Sequence, residues 1–388
     1  MIFPLCPEHF VRGIFWEVNK LTDCENMQAA IQLAQKGMGW TAPNPMVGAV
    51  IVKNGRIIGT GYHARCGQPH AERNALNACT ESPRGATMYV TLEPCCHSGR
   101  QPPCVDAILD AGLRRVAIGS TDPNPLVSGK GVGILREHGI EVTEHVLKEQ
   151  CDRLNEVFFH YIQTGTPFVV MKYAMTMDGK IATCTGASKW ITGEAAREHV
   201  HRQRHRYSAV MVGVGTVLAD DPLLTCRIPG GKNPTRIICD SSLRTPLASQ
   251  IIRTAGEVRT IIATCCRDTA RHRAYQDAGC EILSIPAQDG HVDLPQLMGK
   301  LGRREIDSIL LEGGGTLNWA ALSAGIVQKV QAYLAPKLFG GYNAKSPVDG
   351  VGFPNPAGAV QLKNSVVLPL GDDFLIESEV APHVHGNC

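Results

Sequence analysis

His70-Ala71-Glu72 stands at the start of a predicted helix, and Cys95 and Cys104 follow after a predicted strand, Cys104 directly after Pro102-Pro103 where another helix begins. One imidazole and two thiolates form a three-ligand set for catalytic zinc, which keeps one coordination position open for water. A helix N-terminus favours thiolate over thiol, because unpaired N–H groups and the helix dipole stabilise negative charge. Glu72, two residues beyond His70, reaches the same place without being a ligand. A carboxylate there can take a proton from attacking water and return protons to a ring nitrogen and to departing ammonia, which is the work of an amino-hydrolase. A closed structural zinc site is the alternative. It would recruit Cys96 or His97 as fourth ligand and leave Glu72 without a reason.

The elements that would position these residues follow from periodicity. Beyond Met27 a helix runs to about Gly37, then come a strand Val47 to Lys53, an Asn54-Gly55 hairpin turn, a strand Arg56 to Gly61 and the helix near His70. Strand Thr87 to Leu92, helix Val105 to Ala111, strand Arg115 to Gly119, helix Gly131 to His138 and strand Glu141 to His145 complete one α/β layer. A single charged helix is predicted over Lys148 to Tyr161. After Thr164-Gly165-Thr166-Pro167 a second strand-helix rhythm starts at Phe168, with apolar strands at Ala209 to Val214, Arg236 to Cys239, Arg259 to Ala263, Ser308 to Glu312 and Val330 to Ala335, and a β-rich tail from Gln361 to Val380. Residues 1–26 read as an appended extension, 27–166 as one domain and 167–388 as another, the number expected for 388 residues.

Composition removes several function classes. A net charge of +2 with no long basic block offers no strand-tracking surface, so the partner is a small molecule and not nucleic acid. No segment reaches membrane-spanning length, and Met1 to Val18 is broken by Pro4, Pro7, Glu8, His9 and Arg12, unlike a signal peptide. Fifteen irregularly spaced cysteines point to a reducing compartment, which is the cytoplasm.

The second half gives weaker signals by itself. Glu312-Gly313-Gly314-Gly315-Thr316 follows a strand and opens a helix, so its backbone could cradle a pyrophosphate, but it has neither the Rossmann nor the P-loop pattern, and a tight turn reads equally well. Asn44, Asp122 and Asn124, each in an Asn-Pro or Asp-Pro sequence, are either turn formers or pocket residues. Arg204 and Arg227 are either solvated charges or phosphate donors.

Base deaminases of this chemistry place two residues between their cysteines, whereas eight intervene in Cys95-Cys96-His97-Ser98-Gly99-Arg100-Gln101-Pro102-Pro103-Cys104. With Thr91-Leu92-Glu93-Pro94 before it, and with Pro43-Asn44-Pro45-Met46-Val47-Gly48, Gly61-Tyr62-His63 and Asp122-Pro123-Asn124-Pro125, this insertion resembles the deaminase domain of the bifunctional riboflavin-biosynthesis deaminase-reductases. Lys172-Tyr173-Ala174-Met175-Thr176-Met177-Asp178-Gly179-Lys180, Ser188-Lys189-Trp190-Ile191-Thr192 and Val212-Gly213-Val214-Gly215-Thr216, in that order with Asp220-Asp221-Pro222-Leu223-Leu224-Thr225, resemble the reductase domain of the same family. The similarity covers Met27 to about Val380.

The resemblance implies a cytidine-deaminase-like α/β/α layer domain followed by a dihydrofolate-reductase-like α/β domain. It implies zinc on His70, Cys95 and Cys104 with Glu72 catalytic, and substrate contacts from Asn44, His97, Asp122 and Asn124, with Arg100 facing the phosphate. In the reductase it implies NADPH contacts from Ala174, Trp190, Thr216, Asp220, Ser241, Gly314, Gly315, Thr316, Leu317, Asn318, Trp319 and Ala320. Substrate contacts there would come from Ser188, Arg204, Leu224, Arg227 and Glu312, with Lys172 or Asp220 as proton donor. It further implies hydrolytic deamination of a phosphoribosylaminopyrimidine, then reduction of its ribosyl chain, in a homo-oligomer, dimer or tetramer. Two other readings stay open: a nucleic-acid base deaminase, which would need a basic strand-binding face, and a zinc-stabilised binding protein without turnover.

Overall fold

The computed structural model describes residues 22–97, 101–125 and 127–381. Its first helix, α1 (Asp23–Ala34), starts four residues before the predicted Met27. The reason is a capping box. Thr22 Oγ1 accepts from the Glu25 amide while the Glu25 carboxylate accepts from the Thr22 amide, an arrangement worth about 1 kcal/mol. Asp23 then anchors the helix to the sheet, accepting from Arg115 at 2.6 and 2.9 Å and from the Tyr89 hydroxyl at 2.7 Å. The proposed boundary at residue 26 thus falls inside a helix, and most of the extension, residues 1–21, lies outside the described residues.

The hairpin β1 (Gly48–Lys53) and β2 (Arg56–Tyr62) turns at Asn54 and Gly55, both with positive φ (51° and 77°), as a two-residue primed turn requires. After it come α2 (Ala71–Asn77), β3 (Thr87–Leu92), α3 (Cys104–Asp110), β4 (Arg115–Ser120), α4 (Lys130–Glu137) and β5 (Glu141–Thr143). The strands lie in the order β2-β1-β3-β4-β5, with β3, β4 and β5 parallel. Both faces are covered, so the central strands are apolar throughout, Ala49, Val50, Ile51, Met88 and Val90 being fully buried.

Helix α2 lies very close to β2. A Cβ on Gly61 would stand 2.3 Å from the Ala75 nitrogen and 2.5 Å from the Ala71 oxygen, so only glycine admits the helix at this height. Because α2 opens directly after His70 and carries Glu72, Gly61→Ala will displace both, at a cost of about 1–3 kcal/mol. Thermal denaturation with a zinc assay checks this; an unchanged midpoint with full metal content contradicts it.

The long helix predicted over Lys148 to Tyr161 is two, α5 (Lys148–Leu154) and α6 (Glu156–Thr164). Asn155 interrupts them because its buried amide clamps Met46, accepting from its nitrogen at 2.8 Å and donating to its oxygen at 3.0 Å. The α6 helix ends at Gly165 in the left-handed region (φ 67°).

The second unit comprises β6 (Phe168–Thr176), α7 (Glu194–Arg206), β7 (Ala209–Gly213), α8 (Val214–Asp220), β8 (Thr235–Cys239), α9 (Gln250–Arg253), β9 (Thr260–Thr264), α10 (Thr269–Asp277) and β10 (Glu281–Ser284). A small pair β11 (Ala287–Gln288) and β12 (His291–Val292) precedes α11 (Leu294–Gly302), β13 (Ser308–Leu311), α12 (Gly315–Ser323), β14 (Lys329–Ala335), β15 (Leu362–Leu370) and β16 (Asp373–Val380). Nine strands follow the order β10-β9-β8-β7-β13-β6-β14-β16-β15, parallel as far as β14. The chain leaves β7 toward β8 but leaves β13 toward β14, so the loops after these neighbours diverge and open a crevice at their carboxyl ends.

Candidate active site

His70, at the N-cap of α2, turns its Nδ1 to both sulfurs, 3.5 Å from Cys95 and 3.4 Å from Cys104. Zinc bonds of about 2.3 Å to sulfur and about 2.0 Å to nitrogen at tetrahedral angles require N···S separations of roughly 3.5 Å, so these three residues fit that ion. Among the described residues they form a ligating cluster of three, without Cys96, which packs beside the apolar core, and without His97. No fourth protein ligand closes the set there, and the structural-zinc alternative loses its main requirement. The backbone helps hold the thiolates: the Cys104 amide donates to the Cys95 sulfur at 3.4 Å. Hydrogen bonding from Cys104 draws the Cys95 thiol down to about 4, helped by His70, while the same contact and burial push Cys104 upward.

Glu72 is 3% exposed, beside Cys104 and outside the ligand set. Burial, then the charge on Cys95, raises its carboxyl to about 7.

His70, Glu72 and Cys95 line a cavity of about 320 Å³, near the lower end for a small-molecule site. Asn44, His97, Asp122 and Asn124 all line it, as the sequence motifs anticipate. Asp122 accepts from the Asn124 amide at 2.8 Å, and burial lifts its carboxyl to about 6. Arg100 lies outside the described residues.

Sequence reasoning quoted two further residues in motifs but gave them no role. His63, 2% exposed, donates from Nδ1 to the Pro69 carbonyl, and its Nε2 faces the Asn44 amide at 3.4 Å, so in that tautomer it orients Asn44. Glu93 gathers the amides of Asp122 (3.4 Å), Gly129 (3.0 Å) and Val132 (3.3 Å), tying the Asp122–Asn124 loop to the strand that delivers Cys95. Their position inside two of the recognised motifs was the available signal. Phe158 and Glu305, which also line the cavity, carried no motif at all.

In the second unit the crevice is flanked by Gly213 to Thr216 and by Glu312 to Thr316, with Gly314 facing the Thr216 hydroxyl. Asp220 accepts from the Ser188 hydroxyl at 3.1 Å, bringing those two together beside Trp190, which is 64% exposed under the Arg197 guanidinium. Ala174 lies on β6, paired with Tyr333. Thr316 is exposed, and Leu317, Trp319 and Ala320 are half-buried on α12. Ser241 follows β8, and its hydroxyl accepts from the Val292 amide. Leu224 is buried with φ at 53°, and Arg227 is exposed.

Three of the expected contact residues are engaged within the protein itself. Arg204 turns one edge of its guanidinium inward: Nε and Nη2 donate to the Glu312 carboxylate at 2.7 and 2.9 Å and Nη1 donates to the Thr225 oxygen at 3.1 Å, which uses three of its five N–H groups. Asn318 is fully buried, its amide donating to the Pro347 carbonyl, and Gly315 is covered by Asp349. Both support the glycine turn from beneath, and its open part is Gly314 with Thr316. Lys172 stands 4.0 Å from Glu312, so Lys172, Arg204 and Glu312 form one half-buried cluster. Burial opposes ionisation of Glu312, yet the two cations hold its carboxyl at about 2, while burial lowers Lys172.

Residues 21–120 match the cytidine and deoxycytidylate deaminase zinc-binding region, and residues 167–376 match the RibD C-terminal domain. The riboflavin biosynthesis protein RibD of Actinobacillus pleuropneumoniae is 53% identical over 97% of this chain and 98% of its own length; that of Escherichia coli K12 is 40% identical over 90% and 97%. Among solved structures, Acinetobacter baumannii RibD superposes with a TM-score of 0.83 at 37% identity, covering 92% of this chain and 99% of its own. A Thermotoga maritima diaminohydroxyphosphoribosylaminopyrimidine deaminase/5-amino-6-(5-phosphoribosylamino)uracil reductase gives 0.81 at 40% identity, with the same coverage.

Proposed function

The chain belongs to the RibD family of riboflavin-biosynthesis proteins, and from that premise we propose how its residues divide two reactions between two sites. It is a bifunctional enzyme. Its first unit hydrolytically deaminates 2,5-diamino-6-(5-phosphoribosylamino)pyrimidin-4(3H)-one, and its second reduces the ribosyl side chain of the resulting 5-amino-6-(5-phosphoribosylamino)uracil to ribityl.

In the deaminase, His70, Cys95 and Cys104 would hold zinc, which would supply Lewis-acid activation of the attacking water. Glu72 is the proton carrier. Its buried carboxylate takes one proton from the attacking water and passes it to the ring nitrogen, then takes the second from the new hydroxyl on the attacked carbon and passes it to the amine as the C–N bond breaks, leaving a carbonyl and releasing ammonia. Asn44, oriented by His63, and Asp122 with Asn124, held by Glu93, fix the pyrimidine with its amino-bearing carbon toward Glu72. The observation that carries this assignment is a ligand triangle with zinc separations beside a buried carboxylate that is not part of it.

In the reductase, NADPH supplies the hydride when bound. We assign the dinucleotide to the crevice between the Val214–Asp220 helix and the glycine turn, with Gly314, Thr316, Thr216 and Asp220 contacting it and Trp190 and Ala174 nearer the reacting end. Arg204 acts by holding Glu312, and Glu312 in turn faces Lys172, which is the better supported proton donor because Asp220 is bonded to Ser188. Ser188, Leu224 and Arg227 border the sugar-phosphate. Mixing pure protein with the diaminopyrimidine nucleotide tests both halves: ammonia release first, then NADPH consumption at 1:1 with ribityl product. No ammonia from zinc-loaded protein removes the deaminase assignment.

No helix of the described residues is long and apolar enough to cross a membrane. Thirteen described cysteines are free, which supports a cytoplasmic enzyme; secretion of the native protein into an oxidising compartment would contradict it. The edge strand β15 exposes Val366, Val367 and Leu368, which supports a homo-oligomer, dimer or tetramer, and a monomer mass by light scattering would remove that reading.

A further inference from the structure

The deaminase cavity has walls from both units of the chain. Its floor and one side come from residues 43–127, but Phe158 belongs to the connecting helix α6 and Glu305 to the turn after α11, a part of the reductase sequence. Neither residue is there by loose proximity. The amide of Asn155, just before α6, clamps Met46 in the loop that bears Asn44. Its neighbour Glu156 points the other way, into the reductase, accepting from Lys329 at 2.7 and 2.8 Å and from Arg206 at 3.1 Å. Two residues on, Phe158 faces the cavity.

Glu305 is fixed by the same helix. The Tyr161 hydroxyl donates to the Gly302 oxygen at 2.9 Å, and Gly302 packs so tightly on Gly165 that a Cβ would stand 1.9 Å from the Gly165 oxygen. From Gly302 the chain turns through Glu305, whose amide donates back to the Gly302 oxygen at 2.9 Å and whose φ is 59°. A helix cap in that left-handed conformation ordinarily takes glycine, and a residue with a side chain costs about 1 kcal/mol there. A carboxylate kept in such a position at the mouth of a cavity gives that cost a functional reading.

We propose that Phe158 and Glu305 recognise the ribosyl arm of the deaminase substrate, so that the first unit reads the sugar through walls supplied by the connecting helix and the second unit. This rests on the deaminase reading above. With the amino-bearing carbon directed to Glu72 at the floor, the arm extends toward the mouth, where an aromatic face covers the sugar ring and a carboxylate accepts from its hydroxyls. Deamination is thereby selective for the glycosylated pyrimidine over the free base.

The test uses the full-length zinc-loaded protein, comparing wild type with Phe158→Ala and Glu305→Gln on the diaminopyrimidine nucleotide and on the same pyrimidine without its ribosyl phosphate. KM for the nucleotide rises about tenfold in Phe158→Ala and about fivefold in Glu305→Gln, kcat stays within about threefold, and parameters for the free base do not move. Reductase activity, read in the same molecules, stays at the wild-type level and shows that they are folded. Glu305 is exposed, and a Glu305→Gln variant that keeps reductase activity is folded, so that variant alone decides the matter if Phe158→Ala loses reductase activity. Unchanged nucleotide KM in a folded Glu305→Gln, or an equal rise for the free base, overturns the proposal. Wild type that deaminates neither compound instead overturns the reading on which it rests.

Discussion

Replacing Glu72 by Gln will abolish most deamination while leaving the metal in place. The carboxamide keeps the size of the side chain and takes away the proton carrier, so kcat falls by about 10²- to 10⁴-fold, equivalent to about 3–5 kcal/mol of barrier. Zinc content stays near one per chain because Glu72 is not among the three ligating groups. NADPH-dependent reduction of the uracil nucleotide, supplied as the second substrate, is unaffected. A variant that retains more than a tenth of the wild-type rate would show that something else moves the protons, and one that loses zinc would place Glu72 among the ligands.

Glu312→Gln has the mirror-image effect. Its carboxylate compensates two half-buried cations, Arg204 and Lys172, and removing one partner of such a cluster costs up to about 3–5 kcal/mol. Reductase activity disappears, the thermal midpoint of that unit falls, and zinc with deamination remains where the first unit stays folded. The pH dependence follows from the direction of the shift. Glu312 titrates at about 2 in the fold against 4.5 ordinarily, so its contribution, about 3 kcal/mol, is complete above pH 4.5 and is lost as pH falls from there through about 2. The stability gap between wild type and Glu312→Gln, read from urea midpoints, is therefore wide at pH 7 and narrow at pH 3. A gap independent of pH would show that the carboxylate charge is not what stabilises the cluster.

Local chemistry made much of this protein readable. Asn54-Gly55 specified a hairpin, the apolar runs at residues 87–92 and 308–311 specified buried strands, and His70 and Cys104 at helix starts, with Cys95 just after a strand, let the ligand triangle be inferred. Features made by distant residues were hidden. The break at Asn155 depends on Met46, which lies 109 residues away. The start of α1 was set by Thr22 with Glu25, and by an aspartate whose partner Arg115 lies on β4, 92 residues away.

The same holds for the sites. Arg204 carries a charge that suits phosphate, and no spacing rule reveals that Glu312, 108 residues later, occupies its fork. Asn318 sits in a glycine-rich turn that reads as a cofactor contact, yet the course of residues 346–350 buries it. Phe158 and Glu305 reach the first cavity only because α6 and α11 pack together through Gly165 and Gly302. Residues that work through a neighbour's position leave no pattern in their own segment.

Zinc-edge X-ray absorption on the purified full-length protein tests the central claim most directly. One zinc per chain, bound by two sulfurs and one nitrogen and lost together with deamination in Cys104→Ala but kept in Glu72→Gln, is the predicted result. A protein that deaminates with no zinc, or that keeps the same metal environment in Cys104→Ala, would contradict it.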